Sequence, residues 1–491
     1  MALPLSAAFL IPLLGHIRKG IADFLSLAVI GLLIVFSFER IGKETIIYNV
    51  GGWKPPFGIN LVGDALSVFF LLIISIVSFL VIVYSIAYME RYTSKDKYYC
   101  LLMLMITGMN GVVISGDIFN MFVFLEISAI SSYALVAFGT EHEELEASFK
   151  YLVLGGLASS FILFGIALTY CLTGTLNLAD IARTLQKGAP DGIVKFIMAL
   201  FIMGFGLKAA LIPFHAWLPD AHPSAPAPIS AMLSGLLIKA LGVYCIIRLL
   251  FNVFGFGQSY STVLIILGMV SMVIGVFLAV GQWDFKRLLA YHSISQMGYI
   301  VFAIGLGTPL GILGGLLHLL NHTFFKSLLF LCSGAVEYAT GTRDLKKLGG
   351  LWQKMPVTSV TCSIASLSIS AIPPFGGFFS KFIIILATIK AVDIMGPIAY
   401  VLAAITVFVS FMTLVSFVKV QKMALFGSLP ETLNKVKEVP LSMWSALVVM
   451  AFFCIIFGIA CPVFITTVIE PARNVLLDRG AYIIQVLGYL K

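Results

Sequence analysis

Residues 204–239 read GFGLKAALIPFHAWLPDAHPSAPAPISAMLSGLLIK. An apolar segment carries Lys208 and then meets Pro213. A Pro- and His-rich connection follows, and a second apolar segment carries Lys239. A charge at the centre of a bilayer costs ~2.5–3.5 kcal/mol on insertion scales, so lysines in such text face a cavity or a partner and mark ion pathways. Irregular backbone at that depth is tolerated only where protein or water covers it.

The rest of the chain has the composition this reading needs. Of 491 residues 60% are hydrophobic and only 11% charged, against roughly 25% charged in soluble domains. This is an all-α polytopic membrane protein, and spans rather than domains are the unit to count. The net charge of +8 reads as loop cations at a membrane surface, not as nucleic-acid binding. The seven cysteines lie in apolar runs without zinc or iron–sulfur spacing and read as small core hydrophobes. The first apolar run has no basic segment before it and reads as a first span, not a cleaved signal.

Fourteen candidate spans follow, at 4–16, 21–38, 61–89, 98–116, 117–138, 146–172, 191–213, 226–253, 260–282, 286–307, 309–338, 356–391, 396–420 and 441–468. The twelfth is too long to be straight, and Ile372-Pro-Pro-Phe-Gly-Gly-Phe378 breaks it, since proline removes a donor and clashes with the preceding turn. The seventh breaks at Leu211-Ile-Pro-Phe. Both breaks hold Ile-Pro with a lysine nearby, Lys208 before one and Lys381 after the other. Five spans separate them, so two such repeats lie inverted in the membrane, the pattern that best points to a transporter's ion pathway. Proline and glycine are also common in spans, which leaves a chance recurrence open. Loops after odd-numbered spans hold the larger share of cations, among them Arg18, Lys19, Lys286, Lys346 and Lys347, and place both termini outside the cytoplasm. Residues 39–60 then form an external cap, 178–190 an amphipathic surface helix, and 141–146 a solvated turn. Asp64 and Asp117 open spans three and five, where acids complement the helix dipole.

Five spans carry ionisable groups far from their ends: Glu126 in span five, Lys208 in seven, Lys239 in eight, His318, His322 and Lys326 in eleven, and Lys381 in twelve. His318, His322 and Lys326 repeat at i, i+4 and i+8 and share one helical face. They read as a proton relay, as a packed polar stripe, or, with no carboxylate or cysteine beside them, as a weak metal site. The cost of burying Lys326 favours the relay. Glu126 and Lys208 suit each other as a switchable ion pair or as a static one. His215, Asp220 and His222 read as a proton entrance or as loop residues beside water. His292, with Ser293, Ser295, Gln296 and Tyr299, gives span ten a wet face and joins those three as a candidate for proton entry. No phosphate loop, dinucleotide fingerprint, nucleophile elbow or cysteine cluster is present, so no cofactor and no catalytic centre are expected in this chain.

These residues stand in recognisable text. Ser115-Gly-Asp-Ile-Phe-Asn-Met-Phe-Val-Phe-Leu-Glu126, Lys208 through His222, Gly235-Leu-Leu-Ile-Lys239, Phe285 through Gly298, His318 through Lys326 and Pro373 through Lys381 resemble the proton-pumping antiporter-like subunits. That family holds the large Mrp-type cation/proton antiporter subunits, the N-, M- and L-type membrane subunits of complex I, and subunits of membrane-bound hydrogenases. The resemblance covers nearly the whole chain. It implies spans 1–3 at 1–97, inverted five-helix repeats at 98–253 and 260–421 with spans seven and twelve broken, and a last span and tail at 441–491. It also implies a Glu126–Lys208 pair, a bridging Lys239, a relay through His318, His322 and Lys326, and a terminal Lys381. The text around Glu126 looks most like the D-type member of the Mrp antiporters and its hydrogenase counterpart, and the long lateral helix of L-type subunits does not follow span fourteen. The expected setting is a prokaryotic plasma membrane and a hetero-oligomeric complex with other membrane subunits. The expected cargo is protons, with sodium ions as a second candidate. A scaffold subunit without transport and a stand-alone secondary transporter are the alternatives.

Overall fold

The computed structural model describes residues 1–15 and 20–488. Arg18 and Lys19, counted among the loop cations, lie outside the described residues, as do the end of the first candidate span and the last three residues of the tail.

Among the described residues eleven helices are long and apolar enough to cross a membrane. They are Ile21–Glu39, Ala65–Arg91, Lys95–Ile114, Ile118–Val136, His142–Thr173, Ala227–Phe254, Gln258–Val280, Phe285–Gly305, Pro309–Thr340, Ile398–Phe426 and Leu441–Ile459. Three further segments complete fourteen spans among the described residues. Ala2–Gly15 is short. Span seven is Asp191–Lys208 followed, after a break, by Leu218–Ser224. Span twelve is Pro356–Ile369 followed by Gly376–Lys390. The two acids expected to open helices do so: Asp64 accepts from the Ser67 N–H, and Asp117 from those of Phe119 and Asn120, filling donors a helix start leaves free.

The two breaks share one backbone design. Ala210 and Ala371 both take left-handed φ, 55° and 60°. Around them the same bonds form: Ala210 N–H to Leu207, Leu211 N–H to Gly206 and Phe214 N–H to Leu211 in one, Ala371 to Ser368, Ile372 to Leu367 and Phe375 to Ile372 in the other. The long bond across the left-handed residue closes each helix end and satisfies a carbonyl that the break frees. A second recurrence lies earlier in each half. Ile118 N–H bonds Leu176 O and Leu178 N–H bonds Gly116 O. Shifted by 167 positions, Phe285 N–H bonds Arg343 O and Leu345 N–H bonds Trp283 O. Spans six and eleven have the same length, 32 residues, and end on left-handed Gly174 and Gly341.

Spans eight and eleven are enclosed by protein over their whole apolar length, and span ten nearly so. Span eleven packs against both halves of span twelve and against spans ten and fourteen. Its polar stripe therefore meets protein on every side.

Several local expectations change. Residues 46–49 and 60–63 form an antiparallel hairpin within the loop between spans two and three. The segment after span six is helical at Leu178–Gln186, but Leu178, Ile181 and Ala182 are buried against residues 248–254 and the C-terminal helix Arg479–Leu487, so it is not a free surface helix. Residues 142–146 are the first turn of span six, held by a capping box between Glu141 and Glu144. Lys286 is not a loop cation: it is buried, bonds Ala225 O at 3.1 Å and pairs with Glu337 at 3.1 Å. Cys171 is exposed rather than in the core. Span eight is not a regular α-helix. Leu233–Val243 and Arg248–Phe254 wind as wider π turns, a form common at functional sites.

Candidate functional site

Span five places Glu126 near its middle, and the first half of span seven ends on Lys208, where the helix dipole favours a cation. The two meet: Lys208 Nζ lies 3.6 Å from Glu126 Oε1. The Ser159 hydroxyl of span six donates to the same oxygen at 2.5 Å, and Lys208 also donates to the Tyr133 hydroxyl at 3.3 Å. Tyr133 packs edge-on to Tyr151, which stacks on Trp217 at 4.0 Å. Trp217 Nε1 donates to Leu207 O at 3.0 Å, so the indole beyond the break satisfies a carbonyl beside Lys208.

Lys239 is fully buried. Its ammonium donates to the Ser234 and Gly235 carbonyls of its own helix, at 2.8 and 2.5 Å, and no carboxylate pairs with it among the described residues. Both carbonyls lie in the π-wound segment Leu233–Val243. The Ser234 hydroxyl meets Ser293 of span ten at 2.7 Å.

On span eleven, His318 Nδ1 meets Ser380 Oγ at 2.9 Å and Nε2 meets Gln296 Oε1 at 3.1 Å. As an amide oxygen only accepts, Nε2 carries the hydrogen in this arrangement. The His322 ring lies 6.4 Å from that of His318, and neither of its nitrogens has a hydrogen-bond partner among the described residues. Lys326 donates to Leu289 O at 2.5 Å and lies 5.5 Å above the Phe330 ring. In span twelve Lys381 donates to Ile369 O at 2.9 Å and to Ser410 at 3.4 Å, with its ammonium 4.7 Å above Tyr299. His318 is thus tied to span twelve through Ser380 and to span ten through Gln296. The residues fall into separate small groups: the Glu126–Lys208 pair, Lys239 on its own helix, the stripe on span eleven, and Lys381.

The four residues read as a possible entrance do not gather. Asp220 is at the surface, paired with Lys150 at 3.1 Å and Arg287 at 3.5 Å. His222 is buried, stacked on Phe330 at 4.5 Å on the way to Lys326. His215 is half-buried. His292 meets Ser416 of span thirteen at 2.8 Å. The wet face of span ten likewise divides: Ser293 faces span eight, Gln296 span eleven, Ser295 span nine and Tyr299 span thirteen. Among the described residues no group of three or more His, Cys, Asp or Glu side chains converges to hold a metal.

Two polar centres escaped the sequence reading. Arg248 and Asp64 form a buried ion pair at 2.7 Å, with Tyr244 and Asn252 also bonded to the guanidinium. Tyr482, in the C-terminal helix outside the spans, covers it. Burial pushes that phenol up in pKa, against the pull of Arg248. Lys286, Glu337, Arg343 and Asp284 form a second network at the ends of spans ten and eleven. Both centres lie near the ends of apolar runs, where a charge draws no attention.

The transmembrane model of the NADH:quinone oxidoreductase/Mrp antiporter family matches residues 115–413, more than half of the chain. The chain belongs to the NADH:quinone oxidoreductase/Mrp antiporter family. The N-terminal model of NADH-ubiquinone oxidoreductase (complex I) chain 5 matches residues 48–99 as well. Among individual members of the family, the D-type component of the Na(+)/H(+) antiporter of Alkalihalophilus pseudofirmus is 34% identical over 98% of this chain and 96% of its own. The N-type component of the NADH-quinone oxidoreductase of Desulforudis audaxviator is 33% identical over 95% of both. A chain of the archaeal membrane-bound sulfane sulfur reductase superposes with a TM-score of 0.91 at 34% identity, covering 99% of this chain and 98% of that one. A chain of the Mrp complex from Dietzia sp. superposes at 0.90 and 28% identity with the same coverage.

Proposed function

We propose that the chain is the proton-translocating, antiporter-like subunit of a multisubunit membrane complex, and that Glu126, Lys208, Lys239, His318, His322, Lys326 and Lys381 carry the proton. The observation that carries this reading is the Glu126–Lys208 pair, 3.6 Å apart at the point where span seven breaks. A lysine buried there keeps its proton while an ionised carboxylate faces it. When Glu126 is protonated or turns to another partner, the Lys208 charge stands alone in a low-dielectric site, and the proton leaves toward Lys239. His322, with both ring nitrogens free of protein partners among the described residues, can take up and hand on a proton between Lys239 and Lys381. His222 supplies a route from the Asp220 surface to Lys326, while His215 and His292 play no part in it.

Two inverted repeats at 98–253 and 260–421 account for the paired breaks and for the recurrence at a shift of 167 residues. Both termini lie outside the cytoplasm of a prokaryotic cell. The relatives belong to antiporters and to redox complexes alike. The same axis serves either, because partner subunits supply the driving reaction and decide whether sodium moves against the proton. No cofactor is needed in this chain.

The test is proton uptake by the complex reconstituted in liposomes. Glu126→Ala and Lys208→Ala, in complexes that assemble normally, are expected to lower ion-coupled transport at least tenfold. Full transport in both would falsify the proposal. Active transport by the isolated monomer would replace it with a stand-alone transporter.

A further inference from the structure

Span two ends at Glu39, and Arg40 and Lys43 follow in the turn beyond it. Two clefts adjoin there. One, of about 260 Å³, lies between this turn, the start of span three and the segment after span fourteen; Lys43, Ala65, Phe69, Leu72 and Val468 line it. The other, of about 150 Å³, lies between spans two, three and four; Phe36, Leu71, Asn110 and Ile114 line it. Arg40 and Val68 line both, so the clefts meet at one guanidinium and one point of span three. Met1 also lines the second cleft, which puts the site on the membrane side of the N-terminus.

Both clefts are mainly apolar, and their few polar groups lack partners. Arg40 donates to the Glu44 carbonyl. Among the described residues neither Arg40 nor Lys43 pairs with a carboxylate, Glu39 and Glu44 included. The other acids close to the lining are engaged elsewhere: Asp64 with Arg248 at 2.7 Å and Glu470 with Arg473 at 3.8 Å. Asn110 is 3% exposed, yet its Oδ1 is buried with no partner among the described residues. It lies one turn in from the end of span four at Ile114. A buried amide without a hydrogen bond is costly.

We propose that the two clefts bind one anionic glycerophospholipid, its phosphate held by Arg40 and Lys43, a glycerol oxygen held by the Asn110 amide, and one hydrocarbon chain in each cleft. Cations without a counter-charge select a phosphodiester, and guanidinium suits it best. Basic pockets between spans bind anionic headgroups in this way. The order of chemistry with depth, cation then amide then hydrocarbon, is that of the lipid itself. A partner's helix, about 10–12 Å across, is too wide for the smaller cleft. The inference needs the chain to span a membrane and does not depend on its carrying protons.

The test is native mass spectrometry of the assembled complex, offered equal amounts of dioleoyl phosphatidylglycerol and dioleoyl phosphatidylcholine. The unaltered complex is expected to retain the anionic lipid at least fivefold over the zwitterionic one. Arg40→Gln/Lys43→Gln is expected to carry one fewer anionic lipid per chain. Val68→Phe, which leaves both cations in place and fills the junction of the clefts, is expected to lose the same lipid. Lys435→Gln/Lys437→Gln, at exposed positions elsewhere, is expected to lose none. Equal retention of the two lipids, or an unchanged count in the Arg40/Lys43 variant, overturns the inference. Loss in that variant but not in Val68→Phe, or displacement of the lipid by inorganic phosphate, reduces the site to a surface anion site and overturns it as well. A photo-reactive benzoylphenylalanine at Phe36, in the otherwise unaltered chain in its native membrane, is expected to give phospholipid adducts. Adducts to another protein alone would show that a partner covers the clefts and would sink the lipid assignment.

Discussion

Ala210 and Ala371 hold the same left-handed backbone position at the two breaks, with φ of 55° and 60°. An L-residue with a Cβ is disfavoured there by roughly 1–2 kcal/mol, and glycine is not. Ala210→Gly and Ala371→Gly are each expected to stabilise the purified protein by about 1 kcal/mol. Valine at either site is expected to destabilise it by more than that gain. Thermal unfolding in detergent, compared with the unaltered chain, measures both.

Glu126 and Lys208 act as a unit in the proposed switch, so their losses are expected not to add. Glu126→Gln keeps an acceptor for Ser159 but removes the counter-charge, and transport is expected to fall at least tenfold. The Glu126→Gln/Lys208→Ala double variant is expected to be no worse than the worse single one, the mark of residues that share one function. Additive losses in reconstituted vesicles count against a shared switch.

The Asp64–Arg248 pair is buried on both sides. Removing one member strands the other, a loss of about 3–5 kcal/mol, whereas replacing both with apolar residues is often neutral. Arg248→Met alone is expected to lower stability by that amount. Asp64→Leu/Arg248→Met is expected to recover most of it and to transport normally per assembled complex. Loss of transport in a stable double variant would move this pair into the ion path.

Lys381 bonds Ile369 O, and Trp217 bonds Leu207 O; each satisfies a carbonyl at the end of a helix next to a break. Trp217→Phe removes one neutral donor, at a cost of about 1 kcal/mol. Lys381→Met is expected to cost stability on the same scale and also to abolish transport. A Trp217→Phe variant that transports near the unaltered rate, beside an inactive Lys381→Met, separates the two roles.

The spans were legible because each must be apolar for about twenty residues, and the breaks because Pro213 and Pro373–Pro374 interrupt those runs. The lysines were legible because a charge stands out against leucine. What stayed hidden is what sequence distance hides. Ser159 is one hydroxyl among many, and only the packing of span six on span five brings it to Glu126. Tyr133 and Trp217 read as ordinary aromatic spans and loops. Lys286 opens a span and looks like a surface cation until Glu337, fifty-one positions on, folds back over it. His215, Asp220 and His222 are close in sequence, but only His222 is buried.

Spans eight and eleven touch almost no lipid in the finished fold, yet each leaves the ribosome as a single hydrophobic segment. Lys326 then meets the membrane before the Leu289 carbonyl of span ten has closed on it, and Lys239 with only the carbonyls of its own helix. Insertion at that moment depends on flanking leucines, isoleucines and phenylalanines to outweigh each ammonium. Apolar residues in these two spans are thus constrained twice, once by packing and once by biogenesis. Polar substitutions that the mature interior could accommodate are expected to fail earlier, at the translocon.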